Sequence, residues 1–169
     1  MSRSRWFLVL LLLLSLTTIL NAQTRVDAGV AIGRQPQAGS SESARVLSGA
    51  EVLARRGSLG IHVAGEYADV EQLGATIAIH ANLVYRHAFS EDYALLLGAG
   101  PTHVDAGDSG DSELTWNAEL ELARTWLRTD LFARIRHYDY SFPRFRDQPA
   151  SPSGPAVYLG VRFRLSQTP

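Results

Sequence analysis

Three groups of residues in this chain have types and spacings that could do chemistry. The first is RHYDYSF, Arg136 to Phe142, in which His137, Asp139 and Ser141 stand two apart. Alternate side chains of an extended strand share a face, so a base, an acid and a hydroxyl nucleophile lie on one stripe. That set suits acyl transfer from a lipid, with Ser141 attacking and His137 taking its proton. Residues two apart along a strand are poorly spaced for direct proton transfer, however, and a polar girdle is the plainer reading. The second group is Glu51, His62 and His80. Two imidazoles and a carboxylate would suit a divalent transition metal if three successive strands set them side by side. The plainer reading is a pair of histidines hydrogen-bonded to carboxylates, and no metal or other cofactor is expected. The third group is a set of charges: Glu51, Glu66, Arg86, Glu119, Glu121, Arg134, Arg136, Arg162 and Arg164. These residues would form either a gated polar path or a structural plug of ion pairs, and the plug is favoured.

All three groups depend on strands to position them. Gly154 to Leu165 reads GPAVYLGVRFRL, with Val157, Leu159, Val161, Phe163 and Leu165 on one parity. Tyr158, Gly160, Arg162 and Arg164 occupy the other. One such ribbon has an oily face and a charged face. Seven more segments behave similarly: Arg25 to Gly33, Ala44 to Arg55, Ser58 to Asp69, Ala75 to Phe89, Tyr93 to Val104, Glu113 to Trp126 and Thr129 to Phe142. The second is the least regular, because Leu47 and Leu53 interrupt its alternation. Eight period-2 segments without a helical pattern make an all-β chain. The connections alternate. Arg56-Gly57, Ser90-Glu91-Asp92 and Leu127-Arg128 are tight. The others, Arg34 to Ser43, Val70 to Gly74, Asp105 to Ser112 and Pro143 to Ser153, are mostly longer and rich in turn formers. Short turns at one rim and long loops at the other suit an up-and-down meander.

The N-terminus begins with Arg3 and Arg5, runs apolar from Trp6 to Leu14 and on to Leu20, and reaches Ala22. This has the form of a secretory signal peptide, residues 1–22, ahead of one domain at residues 23–169. All sixteen basic residues are arginine; without Arg3 and Arg5, 14 remain against 17 acids. That balance argues against a nucleic-acid binder, which needs a basic face. There is no cysteine, so stability must come from sheet closure and packing.

Alternation alone does not say whether the oil faces a core, as in a soluble barrel, or lipid. Three features favour lipid. Small residues (Gly98, Gly100, Gly160, Ala64, Ala78, Ala94) lie on the polar parity, where a narrow lumen needs room for long charges. A hairpin centred near Leu127-Arg128 sets Glu119 opposite Arg136 and Glu121 opposite Arg134. Aromatics on the oily parity form two belts: Tyr85, Phe89, Tyr93, Trp126 and Phe163 towards the short turns, Tyr67 and Trp116 towards the long loops.

YLGVRFRL resembles the C-terminal assembly signal of bacterial outer-membrane barrels through Tyr158, Gly160 and Phe163. Leu165 stands where that signal has its last aromatic. FSEDYALLLGAGP, Phe89 to Pro101, resembles the central hairpin of the generic outer-membrane β-barrel family. The His137 stripe faintly resembles the lipid A deacylase barrels, although Asp139 stands where those have their serine. The resemblance implies an eight-stranded antiparallel up-and-down transmembrane β-barrel of the OmpA/OmpX type in a Gram-negative outer membrane. It implies contact with outer-membrane lipid and lipopolysaccharide and delivery by the barrel-assembly machinery. The expected protein is a monomer with a structural or surface-interaction role. The alternatives are a lipid-modifying outer-membrane enzyme and a soluble lipocalin-like carrier. Phe142, Arg144, Phe145 and Arg146 could meet lipopolysaccharide phosphates, although a solvated loop is the plainer reading.

Overall fold

A computed structural model describes residues 24–35, 45–70, 74–106, 111–139 and 154–167. It contains eight strands: β1 (Arg25–Gln35), β2 (Arg45–Arg56), β3 (Leu59–Val70), β4 (Gly74–Ala88), β5 (Tyr93–Ala106), β6 (Asp111–Trp126), β7 (Thr129–Asp139) and β8 (Gly154–Gln167). Each strand pairs antiparallel with the next, and β1 pairs with β8, closing the barrel. Closure leaves no strand edge unpaired, so the backbone can sit where water is absent. Most strands run one or two residues past their expected ends. For β7 the described strand stops at Asp139. Ser141, Phe142, the Phe142–Arg146 cluster and residues 1–22 lie outside the described residues.

The apolar parity faces outward around the whole barrel. Val30, Ile32, Val46, Ile77, Leu83, Leu97, Leu114, Leu131, Ile135, Leu159 and Leu165 are among the exposed large side chains. The charged parity is buried inside, with Arg134, Arg136 and Arg162 each at most 1% exposed. This inverts a soluble barrel, and it excludes a lipocalin-like carrier, which needs an apolar interior. Both expected aromatic belts are exposed on the outside. At the short-turn end Phe89 stacks on Tyr93, and Arg124 lies over the Tyr93 ring.

The irregularity of β2 has a physical reason. Leu47 and Leu53 keep strict inward parity and are apolar residues of the lumen. Leu53 packs with Val84, Leu96, Ala123 and Phe132. Leu47 packs with Ala68, Ala78, Val104, Tyr138, Ala156 and Tyr158. The lumen is therefore layered along its axis. Inward positions of β7 read Tyr138, Arg136, Arg134, Phe132, Asp130, and those of β2 read Leu47, Gly49, Glu51, Leu53, Arg55. Ionic residues lie between two apolar layers, with a second ionic tier beyond the lower one.

Small inward residues make the room expected of them. A Cβ on Gly98 would stand 2.8 Å from Glu119 Oε1, and one on Gly160 would overlap the Phe132 ring. The first tight turn is shifted by one residue from its expected place: Arg56 pairs with Leu59, leaving Gly57 and Ser58 as the turn. Gly57 and Leu127 open their two-residue turns with φ near +59°, a conformation that glycine adopts freely and leucine does not. Leu127→Gly should therefore stabilise the barrel by about 1 kcal/mol. Urea unfolding of refolded protein in detergent checks this. A lower midpoint would mean that the exposed Leu127 side chain holds the turn by contacts that outweigh backbone strain.

Candidate functional site

The lumen is where the chain concentrates its chemistry, and its register explains how. Glu119 pairs with Arg136 and Glu121 with Arg134 across β6 and β7, as the hairpin centre predicted. Arg134 donates from Nε and Nη2 to Glu121 Oε2 at 3.0 and 2.7 Å. Its Nη2 also reaches Glu51 Oε2, across the lumen on β2, at 2.8 Å. Arg136 donates from Nε and Nη2 to Glu119 Oε2 at 3.0 and 2.6 Å, and from Nη1 to Glu66 on β3. Arg162 donates from Nη2 to Glu121. Glu51 and Glu66 thus reach arginines on the far wall, and the network ties the barrel across its diameter.

Aromatic residues complete the network. Phe132 lies beneath two guanidinium groups, those of Arg134 and Arg162, at 4.6 and 4.4 Å from the ring centre. Flat, weakly hydrated guanidinium stacks well on a ring face, so Phe132 holds both cations where water would otherwise be needed. Tyr138 and Tyr158 both donate to Glu66 and touch each other. Neither Phe132 nor Tyr138 was singled out from sequence, although their inward parity was legible there. Asp27 and Asp130, buried in the lumen, were not singled out either.

Glu51, His62 and His80 do not converge as a metal site. His62 lies between Glu119, 2.7 Å from Nδ1, and Glu51, 3.3 Å from Nε2. His80 instead meets Thr102 Oγ1 at 2.8 Å and Glu66 at 3.2 Å. Among the described residues no cluster of three or more such side chains is arranged to hold a metal ion. The two histidines share no carboxylate: His62 meets Glu51 and Glu119, and His80 meets Glu66. Between the ionic groups Asn82 and Asn117 exchange amide hydrogen bonds at 2.8 Å.

The acyl-transfer stripe is only partly described. His137 is exposed on the outer face, with Ala118 and Pro155 as its cross-strand neighbours. Neither neighbour can orient or exchange a proton with an imidazole. Asp139 continues the strand opposite Trp116. Of the assembly-signal residues, Tyr158 and Gly160 face inward, and Phe163 and Leu165 lie exposed outside. Within the charge set, Arg86 and Arg164 sit apart from the central network at the short-turn mouth, where both are half-buried.

A closed eight-stranded barrel with an apolar exterior and an ion-paired interior is a transmembrane barrel of the small outer-membrane type. Solved structures show the same architecture. Neisserial surface protein A (NspA) matches at a TM-score of 0.51 and 14% identity, over 83% of this chain and 96% of that one. The Yersinia pestis outer membrane protein Ail, in a phospholipid bilayer nanodisc, matches at 0.52 and 11% identity, over 82% of this chain and 98% of its own. The de novo designed TMB2.3 matches at 0.56 and 10% identity, over 87% of this chain and 98% of its own. No family model and no curated protein matches the sequence. The likeness is one of fold.

Removing one partner of a buried pair leaves the other charge without compensation. Glu121→Ala should therefore cost about 3–5 kcal/mol of stability, and so should Arg134→Ala. The double variant should cost clearly less than the sum of the two. A double-mutant cycle by urea unfolding measures this, and additive losses would refute direct coupling.

Proposed function

We propose that this chain is a small, monomeric outer-membrane barrel whose role is structural or surface-interacting, with its 1–22 segment removed as a signal peptide on export. The observation that carries this reading is the filled lumen. Arg134, Arg136 and Arg162, with Glu51, Glu66, Glu119 and Glu121, occupy the bore and are ion-paired across it. A bore filled by ion pairs between two apolar layers favours a structural or surface role over solute transport. What remains available is the lipid-facing exterior and the loops that join the strands at the long-loop end. Outer-membrane lipid and lipopolysaccharide are the partners of that surface, and Tyr158, Gly160, Phe163 and Leu165 serve recognition by the barrel-assembly machinery.

The test has two parts. In a urea-washed outer-membrane fraction the protein should stay with the membrane and migrate differently on a gel when unboiled. In a planar bilayer the purified barrel should give no discrete conductance steps. Regular steps would overturn the filled-lumen reading, and recovery in the soluble periplasmic extract would overturn the membrane assignment. The lipid-modifying alternative makes a separate demand. If His137 were a base, His137→Ala would abolish release of acyl chains from lipopolysaccharide. The expected result is that parent and variant leave the lipid equally intact.

A further inference from the structure

The short-turn mouth of the lumen carries more positive charge than its own acids can balance. Asp27 and Asp130 are buried there and face Arg25, Arg55 and Arg86. Arg25 engages both acids. Its Nε lies 2.7 Å from Asp27 Oδ1, and its Nη2 lies 2.8 Å from Asp130 Oδ2. The other Asp130 oxygen accepts from Thr125 Oγ1 at 2.8 Å. Arg55 reaches Asp27 only at 3.9 Å, and its Nε is buried with no hydrogen-bond partner. Arg86 makes no ion pair among the described residues; it lies within electrostatic reach of Asp130 and Asp27 and also of Arg25 and Arg162. Arg162, on β8, stands opposite Asp130, but its Nε lies 3.4 Å from Glu51 Oε1 and its Nη2 bonds Glu121, so it belongs to the central network.

Two further facts isolate this tier. The layer of Leu53, Val84, Leu96, Ala123 and Phe132 separates it from the central glutamates. Glu91 and Asp92 lie exposed on the β4–β5 turn, where exposed Arg56 and Arg128 on the neighbouring turns offset them. Half-buried guanidinium groups close together repel one another more strongly than in bulk water, and an anion between them removes that cost.

We propose that the short-turn mouth is a binding site for a phosphate-type oxyanion, held by Arg55 and Arg86. Guanidinium matches the geometry of phosphate oxygens and can bind two at once. A free phosphate and the headgroup of an anionic phospholipid share this chemistry.

The test uses the full mature barrel refolded in a non-ionic maltoside detergent. Inorganic phosphate is titrated at constant ionic strength while the urea midpoint and the phosphorus NMR line width are followed. A parallel arm adds phosphatidic acid to the micelles in place of phosphate. A saturable rise in midpoint is expected. Arg55→Gln and Arg86→Gln should each raise the half-saturating concentration about tenfold. Arg128→Gln, on the exposed turn, should leave it unchanged. Without phosphate, Arg86→Gln should unfold at the parent midpoint or above it, because a repelling charge has been removed. Saturation in the phosphate arm identifies a free anion, and saturation in the lipid arm alone identifies a headgroup. The proposal is overturned if neither arm saturates, if Arg128→Gln weakens binding equally, or if Arg86→Gln lowers the midpoint without phosphate.

Discussion

The constraint on which this molecule depends is that an arginine inside a narrow barrel must find its counter-charge within the barrel. Arg134, Arg136 and Arg162 are buried where solvent does not solvate them. An uncompensated guanidinium there would cost several kcal/mol. Each therefore lies against a glutamate, and those glutamates come from opposite walls: Glu51 and Glu66 from β2 and β3, Glu119 and Glu121 from β6. The pairs form only if the strands close in this register. A slip of one residue would turn a strand's lumen charges into lipid and its lipid-facing apolar residues inward. The ion pairs and the closure thus specify each other.

The layered lumen follows from that constraint. Apolar side chains above and below the ionic tier exclude water and so strengthen the interactions between them. Phe132 serves both roles. It belongs to the lower apolar layer, and it is the ring on which Arg134 and Arg162 rest. The same layer isolates the arginines at the short-turn mouth from the central acids. One packing decision therefore gathers three arginines and four glutamates in the middle of the barrel and sets the arginines of the short-turn mouth apart from them.

The similarity to NspA, Ail and a designed barrel at 10–14% identity shows which features the fold demands. What these chains can share at that level is a strand period, a strand number and a turn pattern. The lipid face requires only that a side chain be apolar, so its exact identity is free to vary. Lumen residues are constrained in pairs, since one arginine–glutamate arrangement can replace another if both partners change. Such a fold persists while individual residues drift.

By itself the sequence determined the strand count, the parity of each side chain and the pairing of Glu119 with Arg136 and Glu121 with Arg134. Those follow from period-2 alternation and the position of one tight turn, which are local properties. It also marked the positions of Gly98 and Gly160, although not the Glu119 and Phe132 side chains that need the space. Only the tertiary structure decided which non-adjacent strands meet across the bore. It made Glu51 a partner of Arg134 and Glu66 a partner of Arg136, and it separated His62 from His80 by giving them different carboxylates. It also turned the apparent faults at Leu47 and Leu53 into two apolar lumen layers. The reason is geometric: neighbours along a hairpin are set by the turn between them, whereas contacts across a barrel exist only once the eighth strand has met the first.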